Sequence, residues 1–362
     1  MVNISNGMKI LFITQKADKN DDVLGVYHRW IEGLAQHFEK VSVICLYKGQ
    51  TALPENVSVY SLGKELAVSS QWQYALRFLK LIWQLRNDYD RVFVHMNPEY
   101  VVLGGLFWKL SRKKVVLWYA HYLSNLKLRI AVLLADRVVT SIRLAFPFPT
   151  KKLQVLQQGI DTMLFSPAKT AQSSSDNLNV LFLGRIAPVK NLDVLVRAIQ
   201  LARQRIPVKL SVVGAPTLGR SAERGYYTGI KKLVDDLGLA GLVNFHNPVA
   251  NKDTPAIYRK HDLFVNLTVT GSFDKSTLEA MACGIPVLIS NLAFRDILGP
   301  ELSNQLMFKE GDHRDLADKI SQIAALSVED REKLGGRLRE IIVNQHDLGR
   351  LVIRLAETIK TI

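Results

Sequence analysis

The chain has 362 residues, 48% hydrophobic and 22% charged, and its 47 Lys/Arg outnumber its 33 Asp/Glu for a net charge of +14. This is the composition of a folded globular protein, too long for one ordinary core and long enough for two. No apolar run reaches the roughly 18 residues of a membrane span, and the longest near-candidate, YVVLGGLFW from Tyr100 to Trp108, excludes itself by length.

The start, MVNISNGMKILFIT, lacks the basic end and small-residue cleavage site of a signal peptide, so a cytosolic protein, or one that sits on a membrane without crossing it, is expected. In chain order, MKILFIT (8–14), VSVICL (41–46), RVFVHM (91–96), KVVLWY (114–119) and RVVTS (137–141) read as buried strands. Helical apolar spacing lies between them, first in GVYHRWIEGLAQHF (25–38). Short apolar strands alternating with amphipathic helices predict a parallel sheet covered on both faces. The stretch SPAKTAQSSSDNLN (166–179) is polar and aperiodic, the character of a linker. The alternation then restarts with VLFLG (180–184), the helix NLDVLVRAIQLARQ (191–204), VKLSVVG (208–214), LVNFH (242–246), LFVNL (263–267) and PVLIS (286–290). The predicted organisation is an α/β N-terminal domain over 1–168, a linker at 169–178, a second α/β domain over 179–345, and a closing helix at 346–362 able to pack on either domain. Cys45 and Cys283 lie in apolar surroundings and read as two buried thiols, and no Cys/His cluster has zinc spacing.

The positive charge leans to the first half, net +9 over 1–178 against +5 over 179–362. From Val101 to Ala135 there is no acid, while Lys109, Arg112, Lys113, Lys114, Lys127 and Arg129 are present. Such a balance calls for an anionic partner. Upstream, WQYALRFLKLIWQLR (72–86) interleaves Trp72, Phe78 and Trp83 with Arg77, Lys80 and Arg86, which is either a membrane-surface helix or a helix packed on its sheet.

Two places carry chemistry in the second domain. In NVLFLGRIAPVKNLDVLV a strand ends at Gly184, Arg185 follows, and Lys190 stands where a helix begins. Two cations beside a helix N-terminus make a diphosphate site, although two solvated surface cations would look the same. In TGSFDKSTLEAMACGIPVLIS (270–290) a helix starts near Glu279, stops at Cys283-Gly284 and gives way to a strand after Pro286. Ser276-Thr-Leu-Glu279 matches a capping box, and Glu279 equally fits a carboxylate that accepts the two hydroxyls of a ribose.

Taken together these motifs resemble the family 4 glycosyltransferases of the GT-B fold, two Rossmann-like domains facing across a cleft. Gly184-Arg185 with Lys190 matches the family's GR…K phosphate motif, with Asn191 where a Gly usually follows the Lys, and LEAMACGIPVL matches its EAMACGxPVV element. ADRVVTSIRLAF…LQVLQQGIDTMLFSP and LMFKEGDHRDLADKI (306–320) resemble further family segments, and the likeness is strongest over 180–320. The resemblance implies that Glu279 binds the ribose and that Arg185 and Lys190 hold the diphosphate. The first acid of the family's E-x7-E falls on Gly271 and is absent; the loop Gly271, Ser272, Phe273, Asp274 and Lys275 then meets the sugar through backbone N–H groups, Asp274 or Lys275. In the first domain, Gly25 matches the family's glycine loop and His121 its cleft histidine, with His95, Ser141 and Arg143 as weaker candidates.

The implied reaction is a retaining, metal-independent transfer of a sugar from a UDP- or GDP-linked donor to a lipid-linked or saccharide acceptor, as in glycolipid or surface polysaccharide synthesis. No cofactor besides the donor and no nucleic-acid partner is expected. Trp72, Arg77, Lys80, Trp83, Arg112, Lys113 and Lys114 are the candidates for contact with acceptor or anionic membrane, on the inner face of which the protein is expected to sit. A sugar-nucleotide epimerase of the same fold and a non-catalytic nucleotide-binding relative are the alternatives. ILFITQKADKN lacks the G-x-G-x-x-G of a dinucleotide enzyme.

Overall fold

A computed structural model describes residues 7–21, 24–66, 70–168, 177–270 and 274–362. Contacts divide the chain into two units, residues 1–159 with 348–362, and residues 160–347.

Among its described residues the first unit carries β1 (Lys9–Ala17), α1 (Val26–Ala35), β2 (Lys40–Lys48), β3 (Val57–Ser61), α2 (Gln71–Gln84), β4 (Arg91–His95), α3 (Pro98–Leu110), β5 (Lys114–Trp118), α4 (Leu126–Leu134), β6 (Arg137–Thr140) and β7 (Leu153–Val155). The strands form one parallel sheet in the order β3-β2-β1-β4-β5-β6-β7. Successive β1 side chains point to opposite faces, and both faces are covered. Leu11 and Ile13 pack with Phe78 and Ile82 of α2, Val101 and Trp108 of α3 and Leu128 of α4. Ile10 and Phe12 pack with Trp30, Ile31 and Leu34 of α1 and with Leu351, Val352 and Leu355 from the end of the chain. Three helices therefore cover one face, leaving their outer sides to solvent.

The second unit carries β8 (Leu178–Leu183), α5 (Leu192–Ala202), β9 (Val208–Val213), α6 (Ser221–Asp236), β10 (Val243–His246), α7 (Thr254–Tyr258), β11 (Leu263–Asn266), α8 (Lys275–Ala282), β12 (Val287–Ile289), α9 (Arg295–Leu306), α10 (His313–Ala324) and α11 (Val328–Gln345). Its sheet is also parallel, in the order β10-β9-β8-β11-β12. The strand order reverses direction between β8 and β11, the switch point at whose carboxyl ends such sheets bind ligands.

Residues 160–168 belong with the second unit, not with the first domain as drawn from the sequence. Ile160 N–H donates to His346 O at 2.7 Å and Thr162 Oγ1 to Asp347 at 2.6 Å. Arg259 donates to Leu164 O at 3.1 Å and Arg339 to Phe165 O at 2.9 Å. Polar composition had marked 169–178 as the boundary, but these backbone-directed bonds commit the chain earlier, after Gly159. Of that linker only residues 177 and 178 are described. The last helix, α12 (Leu348–Thr361), packs within the first unit, where Val352 lies against Gly33 of α1.

Candidate functional site

The phosphate-motif residues stand on the loop that leaves β8. Gly184 lies beside Gly214 at the end of β9, and a Cβ on Gly214 would fall 1.9 Å from the Gly184 carbonyl oxygen. Only glycine lets these two strand ends pass so closely. Arg185, exposed, reaches back with Nη1 to 3.4 Å from Glu223 Oε1. Glu223 is a buried residue of α6 that also takes Arg220 Nη1 at 3.3 Å and the Thr217 backbone N–H at 2.8 Å. Burial alone would raise its carboxyl; the Thr217 hydrogen bonds and the two guanidinium groups outweigh that and hold it below the ordinary carboxylate range.

Lys190 ends a single 3-10 turn, Pro188–Lys190, immediately before α5. Its Nζ donates to Asp274 Oδ2 and, at 3.1 Å, to Thr268 Oγ1; the Thr268 hydroxyl in turn donates to Asp274 at 2.9 Å. Burial pushes the Asp274 carboxyl up, and the Lys190 charge and hydrogen bond more than reverse it, leaving Asp274 below its usual value. The sugar-loop candidate Asp274 is thus the counter-ion of the phosphate-loop candidate Lys190. Asn191, which stands in place of a glycine, adopts the left-handed conformation with φ 46° and ψ 40°. Asparagine tolerates that region better than most residues, and its amide donates to Leu267 O at 3.1 Å, so the turn survives the substitution.

Glu279 is buried in α8 and does not cap it. The N-cap is Asp274, which places Ser276 inside the helix, so the Ser276–Glu279 box is not formed. Glu279 instead accepts from Asn251 Nδ2 at 2.9 Å on Oε1 and from the Tyr258 hydroxyl at 3.1 Å on Oε2. Burial raises the Glu279 carboxyl; those two donors and Lys275 pull in the other direction without cancelling it. The helix ends in a Schellman arrangement, Ile285 N–H to Ala280 O at 3.3 Å and Gly284 N–H to Met281 O at 3.0 Å, with Gly284 at φ 74° and Pro286 just beyond. The ACG-x-P sequence is the punctuation that turns α8 back into β12. Lys275 is the first residue of α8, half-buried. Gly271, Ser272 and Phe273 lie outside the described residues.

The structure therefore gathers Arg185, Lys190, Asp274 and Glu279 onto the loops and helix starts that follow β8 and β11. Glu223, Thr268, Asn251 and Tyr258 complete the set and were missed from the sequence, because they lie 21 to 78 residues from their partners and carry no motif. Among the described residues no group of three or more His, Cys, Asp or Glu is arranged to hold a metal ion.

The remaining candidates stand on the first unit. Gly25 is the N-cap of α1, and a Cβ there would meet the Asp21 carbonyl oxygen at 2.5 Å. His121 follows β5; its Nδ1 accepts the Leu123 N–H at 3.1 Å, which leaves the proton of the neutral ring on Nε2, and burial lowers its pKa. His95 is buried beside Tyr27, Trp30 and Trp118, with ring centroids 4.0, 5.5 and 6.4 Å away. Ser141 is buried and Arg143 exposed. On α2, Trp72, Leu76, Leu79 and Trp83 are exposed at a spacing of four, three and four residues, one stripe on the helix's outer side, while Phe78 is wholly buried. Lys80 and Arg112 are exposed, Arg77 donates to Leu62 O at 2.8 Å, Lys114 pairs with Asp136 at 2.8 Å, and Lys113 is spent internally on the Tyr89 carbonyl.

The sequence model of the family described as "Glycosyl transferases group 1" matches residues 177–325. A D-inositol 3-phosphate glycosyltransferase of Salinispora arenicola is 36% identical over 157 residues, 39% of this chain and 34% of that protein, so the match spans about a third of the curated relative. Among solved structures, Anabaena HepE in complex with UDP-glucose superposes with a TM-score of 0.76 at 21% identity, covering 98% of this chain and 100% of that one. Sucrose-phosphate synthase of Thermosynechococcus elongatus gives 0.77 at 18% identity, covering 98% of each. The chain has the GT-B fold, and within its second unit residues 177–325 match the group 1 glycosyltransferase family.

Proposed function

We propose that the protein moves a sugar from a nucleoside-diphosphate sugar to a lipid-linked or saccharide acceptor, with retention and without a bound metal. The observation that carries this reading is Glu279, a buried carboxylate whose two oxygens accept from the neutral donors Asn251 and Tyr258, on the same strand-end edge as Arg185 and Lys190. Both oxygens keep a lone-pair site for a vicinal diol. Charge grows on the leaving diphosphate as the sugar–oxygen bond breaks, and preorganised cations aimed at it are commonly the largest catalytic contribution. Arg185 and Lys190 fill that role in this reading, with Gly184 and Lys275 beside them on the second unit; His121 and the glycine loop at Gly25 are the candidates carried by the first unit. The HepE complex with UDP-glucose makes UDP the first base to test. Thermal unfolding with UDP, GDP, ADP and CMP checks the site: ligand at a hundred times its Kd adds about 2.7 kcal/mol. One diphosphate that shifts the midpoint, followed by transfer of its sugar to an acceptor extract, supports the assignment; no shift with any of them overturns it.

The acceptor reading leans on α2. A Trp72–Leu76–Leu79–Trp83 stripe facing solvent, with Arg86 over the Trp83 ring at 4.7 Å and Lys80 and Arg112 nearby in sequence or exposed, suits an anionic membrane surface. No described helix is long and apolar enough to cross a membrane, so attachment would be peripheral, in this reading on the cytoplasmic face. Co-sedimentation with vesicles containing phosphatidylglycerol, and none with phosphatidylcholine alone, is the expected result. The variant Trp72→Ser/Trp83→Ser should lower the bound fraction severalfold; unchanged binding would remove α2 from the acceptor side.

A further inference from the structure

Tyr258 and Asn251 have no part in the motifs that mark the donor site, yet they are the hydrogen-bond donors that fix Glu279. Tyr258 is wholly buried at the end of α7, its ring set between Phe165 and Phe264 with centroids 6.1 and 5.8 Å away. Its hydroxyl reaches Glu279 Oε2 at 3.1 Å. Asn251 opens the 3-10 turn Asn251–Asp253, held by the Thr254 hydroxyl on its carbonyl at 2.8 Å, and its amide reaches the other oxygen, Oε1, at 2.9 Å. One donor on each oxygen fixes the rotation of the carboxylate plane. An ionised carboxylate offers about four acceptor sites, and these two donors take one on each oxygen, leaving acceptor capacity on both. Both donors are neutral, and burial with the adjacent Glu279 charge drives the Tyr258 hydroxyl far above its ordinary pKa, so it stays a donor at every working pH. A Lys or Arg in either place would satisfy the charge that a sugar hydroxyl should meet.

We propose that Tyr258 and Asn251 are positioning residues for ribose recognition, aiming the open lone pairs of Glu279 at the 2′- and 3′-hydroxyls of the donor nucleotide. This rests on the nucleoside-diphosphate reading above. The test measures affinity for UDP against 2′-deoxy-UDP and for GDP against 2′-deoxy-GDP, in the wild-type chain and in Tyr258→Phe, Asn251→Ala and Glu279→Gln. The wild type should prefer the ribo form of one base about tenfold, the equivalent of one charge-assisted hydrogen bond. Tyr258→Phe and Asn251→Ala should shrink that preference to about two- or threefold while leaving affinity for the deoxy form within about twofold, a pattern that loss of folded protein does not produce. If Tyr258→Phe fails to fold, Asn251→Ala, at a half-buried position, carries the test. A wild type without ribo preference, or Glu279→Gln that keeps it, overturns the ribose reading itself. A wild type that discriminates, a Glu279→Gln that does not, and full discrimination in Tyr258→Phe and Asn251→Ala overturn the positioning role alone.

Discussion

The two ends of the proposed donor site in the second unit are built on opposite electrostatic plans. At the phosphate end each cation is already matched by an acid: Lys190 by Asp274 and Arg185 by Glu223. At the ribose end the acid Glu279 is held by an amide and a phenol. Ion pairing holds half-buried Lys190 and exposed Arg185 in place, and an arriving diphosphate then competes with or joins the internal acids. Neutral donors do the reverse, fixing geometry while leaving the negative charge only partly compensated and costly until a ligand's hydroxyls arrive. The pKa shifts follow the same distinction: Asp274 and Glu223 are pulled down by their partners, and burial pushes Glu279 up.

Lys190→Ala should give the largest effect and test the first plan. It removes a charge-assisted contact to the diphosphate, about 1.5–3 kcal/mol of donor affinity, and leaves Asp274 without its counter-ion, about 1–3 kcal/mol of stability. The double variant Lys190→Ala/Asp274→Ala should recover part of the stability and none of the affinity. Calorimetric titration with the bound nucleotide and denaturant unfolding separate the two. If the double variant binds as tightly as wild type, the lysine serves the fold and not the ligand.

What the sequence made legible follows the same division. Both α/β domains, the GR…K loop and the end of α8 at Gly284 were readable because each rests on local pattern: buried runs, a strand-to-helix glycine, a Gly-x-Pro stop. The partners of the charged residues were not, since Lys190 meets Thr268 and Asp274 across 78 and 84 residues and Glu279 meets Asn251 across 28. The capping-box spacing at Ser276 was present but lost, because Asp274 starts the helix two residues earlier. The reading of Asp274 as a sugar contact meets the fact that its carboxylate is engaged by Lys190 and Thr268. Phe78, read with the aromatic and basic face of α2, points inward because α2 must cover the sheet before it can offer anything to solvent, and Lys113, just before β5, is drawn to the Tyr89 carbonyl.

The smallest effect, and the sharpest on the comparison, is the pH dependence of stability. Asp274 has a folded-state pKa below its unfolded value, so its pairing stabilises the protein above about pH 4 and that contribution is lost as pH falls through the folded value. Glu279 has a folded-state pKa above its unfolded value, so the folded state holds the extra proton in the window between the two. Its burial costs stability at neutral pH, and the cost disappears as pH falls below the folded pKa. Removing each titration should therefore change the acid side in opposite senses. Asp274→Asn should lose stability at pH 7 and lose less than wild type as pH falls below about 4. Glu279→Gln, which keeps a carbonyl for one donor and drops the buried charge, should match or exceed wild-type stability at pH 7 and lose that advantage as pH drops toward 4. Urea midpoints at pH 7, 5.5, 4 and about 3 for the three proteins decide it. A Glu279→Gln variant less stable than wild type at pH 7, with the gap closing on acidification, would mean that Asn251 and Tyr258 compensate the Glu279 charge fully, and that the ribose end is as well paired as the phosphate end.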